Sequence, residues 1–236
     1  MKILSIDTSS NICGVAILEN QKIIKEISLD NGLTHSESLM PTIDKIFKET
    51  NLQLKDIDLI VCDKGPGSFT GIRIGVSTAM AFSDSLNIAT CGVSSLEALA
   101  YNISHSGIIC SLIDARNSNC YCGIFELSNG NYKLLKPLFA DYIDNILDGL
   151  TEYSSGITFV GNGAIVNKDL ICSRFGDCII SNNNDLSSYK LGLAGLNAYS
   201  SGKHDNVMPL YLRPSQAERM LKKKIKKVFN FFLLVL

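Results

Sequence analysis

Two aspartates each close a short apolar run and open a polar turn: Asp7 in Ile6-Asp7-Thr8-Ser9-Ser10-Asn11, and Asp114 in Ile113-Asp114-Ala115-Arg116-Asn117-Ser118-Asn119. Carboxylates at such strand ends can hold a metal-bound nucleotide, exchange protons as general acid and base, or cap the following turn by accepting its backbone amides. A turn that cradles phosphate needs glycine close behind the acid, so that main-chain N–H groups reach the oxygens. Neither turn contains one. Capping is therefore the favoured role of both aspartates, with nucleotide binding by Asp7, Thr8, Ser9 and Asp114 as the alternative. Gly161-Asn162-Gly163-Ala164 either lines an adenine pocket in the same degenerate cleft, through Gly161 and Gly163, or is a plain turn.

The run Lys64-Gly65-Pro66-Gly67-Ser68-Phe69-Thr70-Gly71-Ile72-Arg73-Ile74-Gly75 carries glycines at positions that allow close backbone approach, and a proline that stiffens the turn into a helix. It lacks the Gly-Lys-Ser/Thr ending of a phosphate-binding loop and the spacing of a dinucleotide fingerprint. Tight strand-to-helix packing is the first reading, and anion binding at the helix N-terminus the second. His35, His105 and His204 lie far apart with no ligand spacing, so no metal site is expected. His35 reads as a polar group near a helix start or as a ligand or partner contact. The eight cysteines contain no C-x-x-C pair and read as small buried hydrophobes.

These residues sit on elements that the pattern outlines. Strands are expected over 2–6, 13–18, 22–29, 58–62 and 88–93, with helices starting near Thr34 or Ser36, at 68–86, and after Ser94 or Ser95. The second half repeats the first at an offset of 107, which lays Ile6-Asp7 on Ile113-Asp114, Cys13 on Cys120 and Glu19 on Glu126. Strand 132–135, helix 142–150 and strand 157–160 follow. A duplicated β-β-β-α-β-α unit with an acid ending each first strand is the layout of the two-lobed α/β fold of actin, sugar kinases and chaperone ATPases. The expected division is 1–104 for the first lobe, 105–219 for the second and 220–236 for a tail, basic at Lys222–Lys227 and then apolar.

The Gly65 to Gly75 run and Tyr211-Leu212-Arg213-Pro214-Ser215-Gln216-Ala217-Glu218, with Ile6-Asp7-Thr8-Ser9 and His35-Ser36-Glu37, resemble the signatures of the TsaB family over most of the chain, to about Arg219. The resemblance implies a non-catalytic subunit for threonylcarbamoylation of the tRNA adenosine beside the anticodon. The implied partners are TsaD, as a heterodimer, and the ATPase TsaE, with a homodimer possible. It further implies that ATP and metal belong to those partners, that this chain has no cofactor of its own, and that tRNA is met only through the complex. In TsaD, the catalytic paralogue, two metal-binding histidines stand where this chain has Ser95 and Leu99. The family's acid before the tyrosine of the second hairpin is Asn119 here. Tyr211 to Glu218 is a suggested partner contact. The resemblance also suggests that part of the apolar load of the two first-lobe helices, Leu39, Ile43, Phe47, Gly71, Ile72, Gly75, Val76, Ala79 and Met80, pairs with a partner's helices rather than with the core.

Composition agrees with these expectations and narrows them. The chain has 236 residues and a net charge of −1, which supplies no positive field for gripping nucleic acid unaided. Met1 to Asp7 reaches an acid too soon for a secretory segment, and the apolar tail is shorter than the roughly 20 residues that span a bilayer, so a cytoplasmic protein is expected. The competing functions are an ATP-dependent kinase or ATPase of the same fold, and a metallopeptidase-like protein.

Overall fold

The computed structural model describes residues 1–30, 32–153, 156–176, 178–202 and 207–214. The first sheet is built from β1 (Lys2–Asp7), β2 (Cys13–Glu19), β3 (Lys22–Leu29), β4 (Leu59–Asp63) and β5 (Ala89–Val93), in the order β3-β2-β1-β4-β5. Its centre is the apolar β1, antiparallel to β2 and parallel to β4. Helices α1 (His35–Thr50) and α2 (Phe69–Leu86) cover one face. Thr34 and Glu37 form the capping box that starts α1, and the Ser68 hydroxyl accepts the Gly71 amide at the start of α2. A short helix, α3 (Ser95–Ala100), follows β5.

The second sheet repeats that order. It contains β6 (Gly107–Asp114), β7 (Asn119–Ser128), β8 (Asn131–Leu134), β10 (Ile157–Val160) and β11 (Ile179–Ile180), arranged β8-β7-β6-β10-β11, with β9 (Phe139–Tyr142) also pairing β7. Strand for strand this matches β3-β2-β1-β4-β5, so the duplication is real. Helix α4 (Ile143–Leu150) corresponds to α1, and α5 (Asn162–Val166) with α6 (Lys168–Arg174) stands where α2 stands in the first half. The last helix is α7 (Ser188–Ser200). The fold is thus the two-lobed, actin-like α/β architecture.

Three expectations need correction. The span 105–219 is not one self-contained lobe, because α7 packs on the first sheet: Leu191 and Ala194 share a core with Ile3, Leu18 and Val61. Reciprocally, α3 sends Leu96, Leu99 and Ala100 into a core with Ile109, Phe125 and Val160 of the second. The residues assigned to a partner interface are, with one exception, interior. Leu39, Ile43, Phe47, Ile72, Val76 and Ala79 are buried against the first sheet, and Gly71 and Gly75 lie beneath them against the turn after β1. One sheet face absorbs both apolar stripes, which leaves Met80, 46% exposed, as the member facing outward. Of the cysteines, Cys172 is exposed and Cys178 half-buried, whereas the other six are buried.

The tail over 220–236, and Ser215 to Glu218 of the C-terminal motif, lie outside the described residues. Among the described residues no helix is long and apolar enough to cross a membrane.

Candidate functional site

A cleft of about 800 Å³ opens between the lobes. One wall is the turn after β1, Ser9 to Ile12, with the Pro66-Gly67-Ser68-Phe69 entry to α2. The other is Ile113 to Arg116 after β6, with Tyr121, Asn162 and the Asn184-Asp185-Leu186 loop.

Asp7 ends β1 but does not reach this space, being 2% exposed. Its Oδ1 accepts the Ser9 amide at 2.8 Å and the Ser9 hydroxyl at 2.8 Å. The same hydroxyl lies 2.9 Å from Oδ2 of Asp63, at the end of the parallel neighbour β4. Asp63 Oδ1 in turn accepts the Gly65 amide at 2.6 Å and the Ser95 hydroxyl at 2.7 Å. A serine hydroxyl has one proton, so it cannot donate to two carboxylates at once. The arrangement favours one carboxyl as the protonated acid, donating to the Ser9 oxygen or to the other carboxyl, since Asp7 and Asp63 also hydrogen-bond each other. Burial pushes both acids up, Asp63 well above the ordinary carboxylate range with the Asp7 charge adding to the effect, and Asp7 upward against its Ser9 hydrogen bonds. Asp63 directly follows the strand expected over 58–62 and is not among the site residues that spacing singles out. The sequence offers only an acid directly ending an apolar run; that this strand lies parallel to the one ending in Asp7 is seen in the structure.

The glycine run is a packing device around the first turn. A Cβ at Gly71 would overlap the Thr8 carbonyl oxygen, and one at Gly67 the Ser9 carbonyl. With glycine at both places, the Ser68 amide donates to the Ser9 carbonyl at 2.7 Å and the Thr8 hydroxyl donates to the Gly71 carbonyl at 2.8 Å. His35 Nε2 lies 2.8 Å from the Ser10 carbonyl, so this side chain ties the start of α1 to the same turn. Thr8 and Ser9 are therefore spent on structure, and the Ser68 amide at the helix start is already engaged.

Asp114 lies in the cleft wall. Its Oδ1 accepts the Arg116 amide at 2.9 Å, and its own amide donates to Asn162 Oδ1 at 3.0 Å. Both aspartates cap their turns, as favoured from the sequence. Gly161 and Gly163 do not line the cleft; they press on Leu112 of β6 at the start of α5, and only Asn162 between them faces the space. Asn119 is buried and closes its own turn through Nδ2 to the Asn117 carbonyl, 2.7 Å. Tyr211 stacks on Phe69 with centroids 4.6 Å apart and accepts from Arg73 Nε at 2.7 Å, while Arg213 donates to the Ala115 carbonyl at 3.1 Å. The described end of the C-terminal motif thus bridges α2 and the second turn.

The donor set does not suit a metal. At the two positions where the resemblance to TsaD places histidines, Ser95 is bonded to Asp63, and Leu99, 1% exposed, has no donor atom. Among the described residues no group of three or more His, Cys, Asp and Glu could hold an ion. Nor is the cleft suited to a bare triphosphate, since Asp30, Asp114 and Asp185 outnumber Arg116 along its walls.

The chain's relatives agree with this architecture. A family model described as "TsaD: tRNA N6-adenosine threonylcarbamoyltransferase" matches residues 30–198. The Bacillus subtilis protein named tRNA threonylcarbamoyladenosine biosynthesis protein TsaB is 32% identical over 92% of this chain and 96% of its own length. The Escherichia coli protein of the same name is 30% identical over 53% of this chain and 55% of its own. Two solved structures from Pseudomonas aeruginosa share the fold: one described as an uncharacterized protein with similarity to peptidase YEAZ (TM-score 0.75, 24% identity, 90% of this chain and 99% of that one), and one named YeaZ (TM-score 0.73, 22% identity, 89% and 100%). With an identity of this level along nearly the whole length of both proteins, and with the glycine run and the Asp7 turn packed into one unit, the chain belongs to the TsaB (YeaZ) family.

Proposed function

We propose that this chain serves tRNA threonylcarbamoyladenosine biosynthesis as a non-catalytic subunit, binding a TsaD-type catalytic partner and supporting recruitment of a TsaE-type ATPase in the cytoplasm. The observation that carries the non-catalytic part is the state of the Ser95 and Leu99 positions: one hydroxyl is committed to Asp63, and the other side chain is a buried hydrocarbon. A metallopeptidase or metal-dependent transferase centre has no ligands there. The glycine-free turns and acidic cleft count against an ATPase of its own. The long identity to a protein named for this biosynthesis supports the pathway.

The partner surface we propose is the outward side of α1 and α2, opposite the buried stripes. It includes Met40, 51% exposed, and Met80, with the small Ser77 and Ala81 also exposed on α2. Exposed methionines beside small residues suit close approach of a partner helix.

The experiment is reconstitution of threonylcarbamoyl transfer to tRNA from this chain, TsaD and TsaE, with each omitted in turn. Transfer is expected to stop without this chain, which alone neither hydrolyses ATP nor modifies tRNA. Undiminished transfer in its absence overturns the proposal.

A further inference from the structure

Cys172 and Cys178 are the cysteines that combine proximity with exposure. Cys172 lies on α6 and is exposed, Cys178 precedes β11 and is half-buried, and their sulfur atoms are 3.5 Å apart. Both backbones are anchored. Ile171 is fully buried in the second core, and Arg174, two residues past Cys172, bonds Asp144 of α4 at 2.6 Å and also reaches Asp148. The Cys178 amide donates to the Phe175 carbonyl at 2.7 Å, and the Phe175 ring packs on Phe159 with centroids 5.8 Å apart. The two thiols are thus held side by side, and their sulfurs must close from 3.5 Å to about 2 Å to bond.

A second close pair serves as an internal control. Cys110 and Cys122 have sulfurs 3.8 Å apart, but both are fully buried and burial pushes the Cys110 thiol well up. Proximity without access to a reagent does not make a reactive pair.

We propose that Cys172 and Cys178 form a reversible oxidative modification site, at which a low-molecular-weight disulfide of the glutathione type drives closure of an intramolecular bond between them. Cys172, the exposed member, attacks as thiolate on one sulfur of the oxidant. The oxidant's S–S bond breaks, the first small thiolate leaves and takes up the proton that Cys172 lost. Cys178 then gives up its proton and attacks the Cys172 sulfur of the mixed disulfide, releasing the second small thiol. Two protein thiols are oxidised to one disulfide and the oxidant is reduced to two thiols. Desolvation and the contact with Cys172 push the Cys178 thiol up to about 11, which leaves the exposed Cys172 as the first attacker.

The test is to incubate the folded full-length chain with oxidised glutathione, block the remaining thiols by alkylation, and map the peptides by mass. The expected product lacks two of the eight thiols, links Cys172 to Cys178, and reverts with dithiothreitol. Cys178→Ser should accumulate a stable glutathione adduct at Cys172, and Cys172→Ser should stay unmodified. A persistent adduct on Cys172 in the parent chain, loss of buried thiols at the same rate, or no reaction at either residue would each overturn the proposal. Should either serine variant fail to fold, the parent chain's peptide map alone decides.

Discussion

The turns after β1 and β6 begin alike and end in different surroundings. Each follows the first strand of a sheet with the same strand order, and each starts with an aspartate that caps the amide two residues on, Asp7 to Ser9 and Asp114 to Arg116. Around Asp7 the molecule has closed over the start of the turn, with α2 resting on Thr8 and Ser9, His35 on Ser10, and Asp63 meeting Asp7 through Ser9, while Ser9 to Ile12 line the cleft beyond. Around Asp114 the turn stays at the cleft wall. The difference lies in the helix after the fourth strand. The 18-residue α2 and the segment entering it meet the turn with Gly71 and Gly67, whereas the five-residue α5 and its N-cap bring Gly163 and Gly161 against Leu112, two residues short of Asp114. Two turns in equivalent places thus differ in their leading aspartate: Asp7 is sealed beneath the cleft wall, and Asp114 is part of it.

If the first lobe is held by α2 in this way, damage to α2 should be severe on its inner side and slight on its outer side. Ile72→Asp places an unpaired charge at a site 1% exposed and should cost more than about 4 kcal/mol, leaving little folded protein by circular dichroism. Met80→Asp, on the outward side, should leave the melting temperature nearly unchanged and weaken capture of the TsaD-type partner instead. Equal stability of the two variants would break the assignment of faces. Gly71→Ala, next in size, forces a methyl group into the Thr8 carbonyl and should cost about 3 kcal/mol in a denaturant melt. Little effect there would mean that the turn yields easily and that α2 does not clamp it.

The shared proton provides a sharper test, because it belongs to the first turn. Asp7 and Asp63 both have folded-state pKa values raised above the ordinary 3.8. A carboxyl raised in the folded state binds its proton there more tightly than in the unfolded chain. Its stabilising contribution is present in full below about pH 4 and is lost as pH rises through the folded value. Asp63→Asn keeps an acceptor for Ser95 and Gly65 and supplies an N–H toward Ser9 without titrating. The variant should gain on the parent chain as pH rises from about 4 through the folded value, with a slope of at most about 1.4 kcal/mol per pH unit for one proton. A stability difference that stays flat with pH would sink the shared-proton account.

Much of this was legible in residue order, and the reasons for the rest are specific. The capping box of Thr34 and Glu37, the apolar strands bounded by polar turns, and the repeat at offset 107 carry local signals that the fold obeys. Helix α7 gave little warning, because Gly192 and Gly195 sit where it crosses Leu18 and Val61, and glycine lowers helix propensity at the contact points themselves. The interface assignment failed because periodicity tells which residues share a face and not what covers it. Leu39, Ile43, Ile72 and Val76 form clear stripes, and a sheet of the same chain covers them. Asp63 escaped because its meaning depends on β4 lying parallel to β1, a fact of topology rather than of spacing.

The smallest expected effect concerns the second turn and has the opposite sign. Arg116, Asn117 and Ser118 occupy the left-handed region in succession, at φ of 63°, 53° and 57°. Asparagine tolerates this conformation, but serine and arginine gain no comparable relief, and each strained residue costs on the order of 1 kcal/mol. The first turn holds no residue with positive φ between Asp7 and Cys13, since the packing of α2 and His35 fixes it in ordinary conformations. Ser118→Gly removes a Cβ at an exposed site where the side chain has no hydrogen bond to lose among those seen, while the Ser118 carbonyl keeps its bond from the Ile143 amide at 2.9 Å. The relief of strain should outweigh the greater freedom that glycine gives the unfolded chain, for a net gain of up to about 1 kcal/mol in a thermal melt. Glycine there would also bring the second turn closer to the glycine-bearing phosphate turn that the sequence lacks. Loss of stability in Ser118→Gly would mean that the cleft-side turn is as firmly packed as the first, and the contrast between the two lobes would fail at its open end.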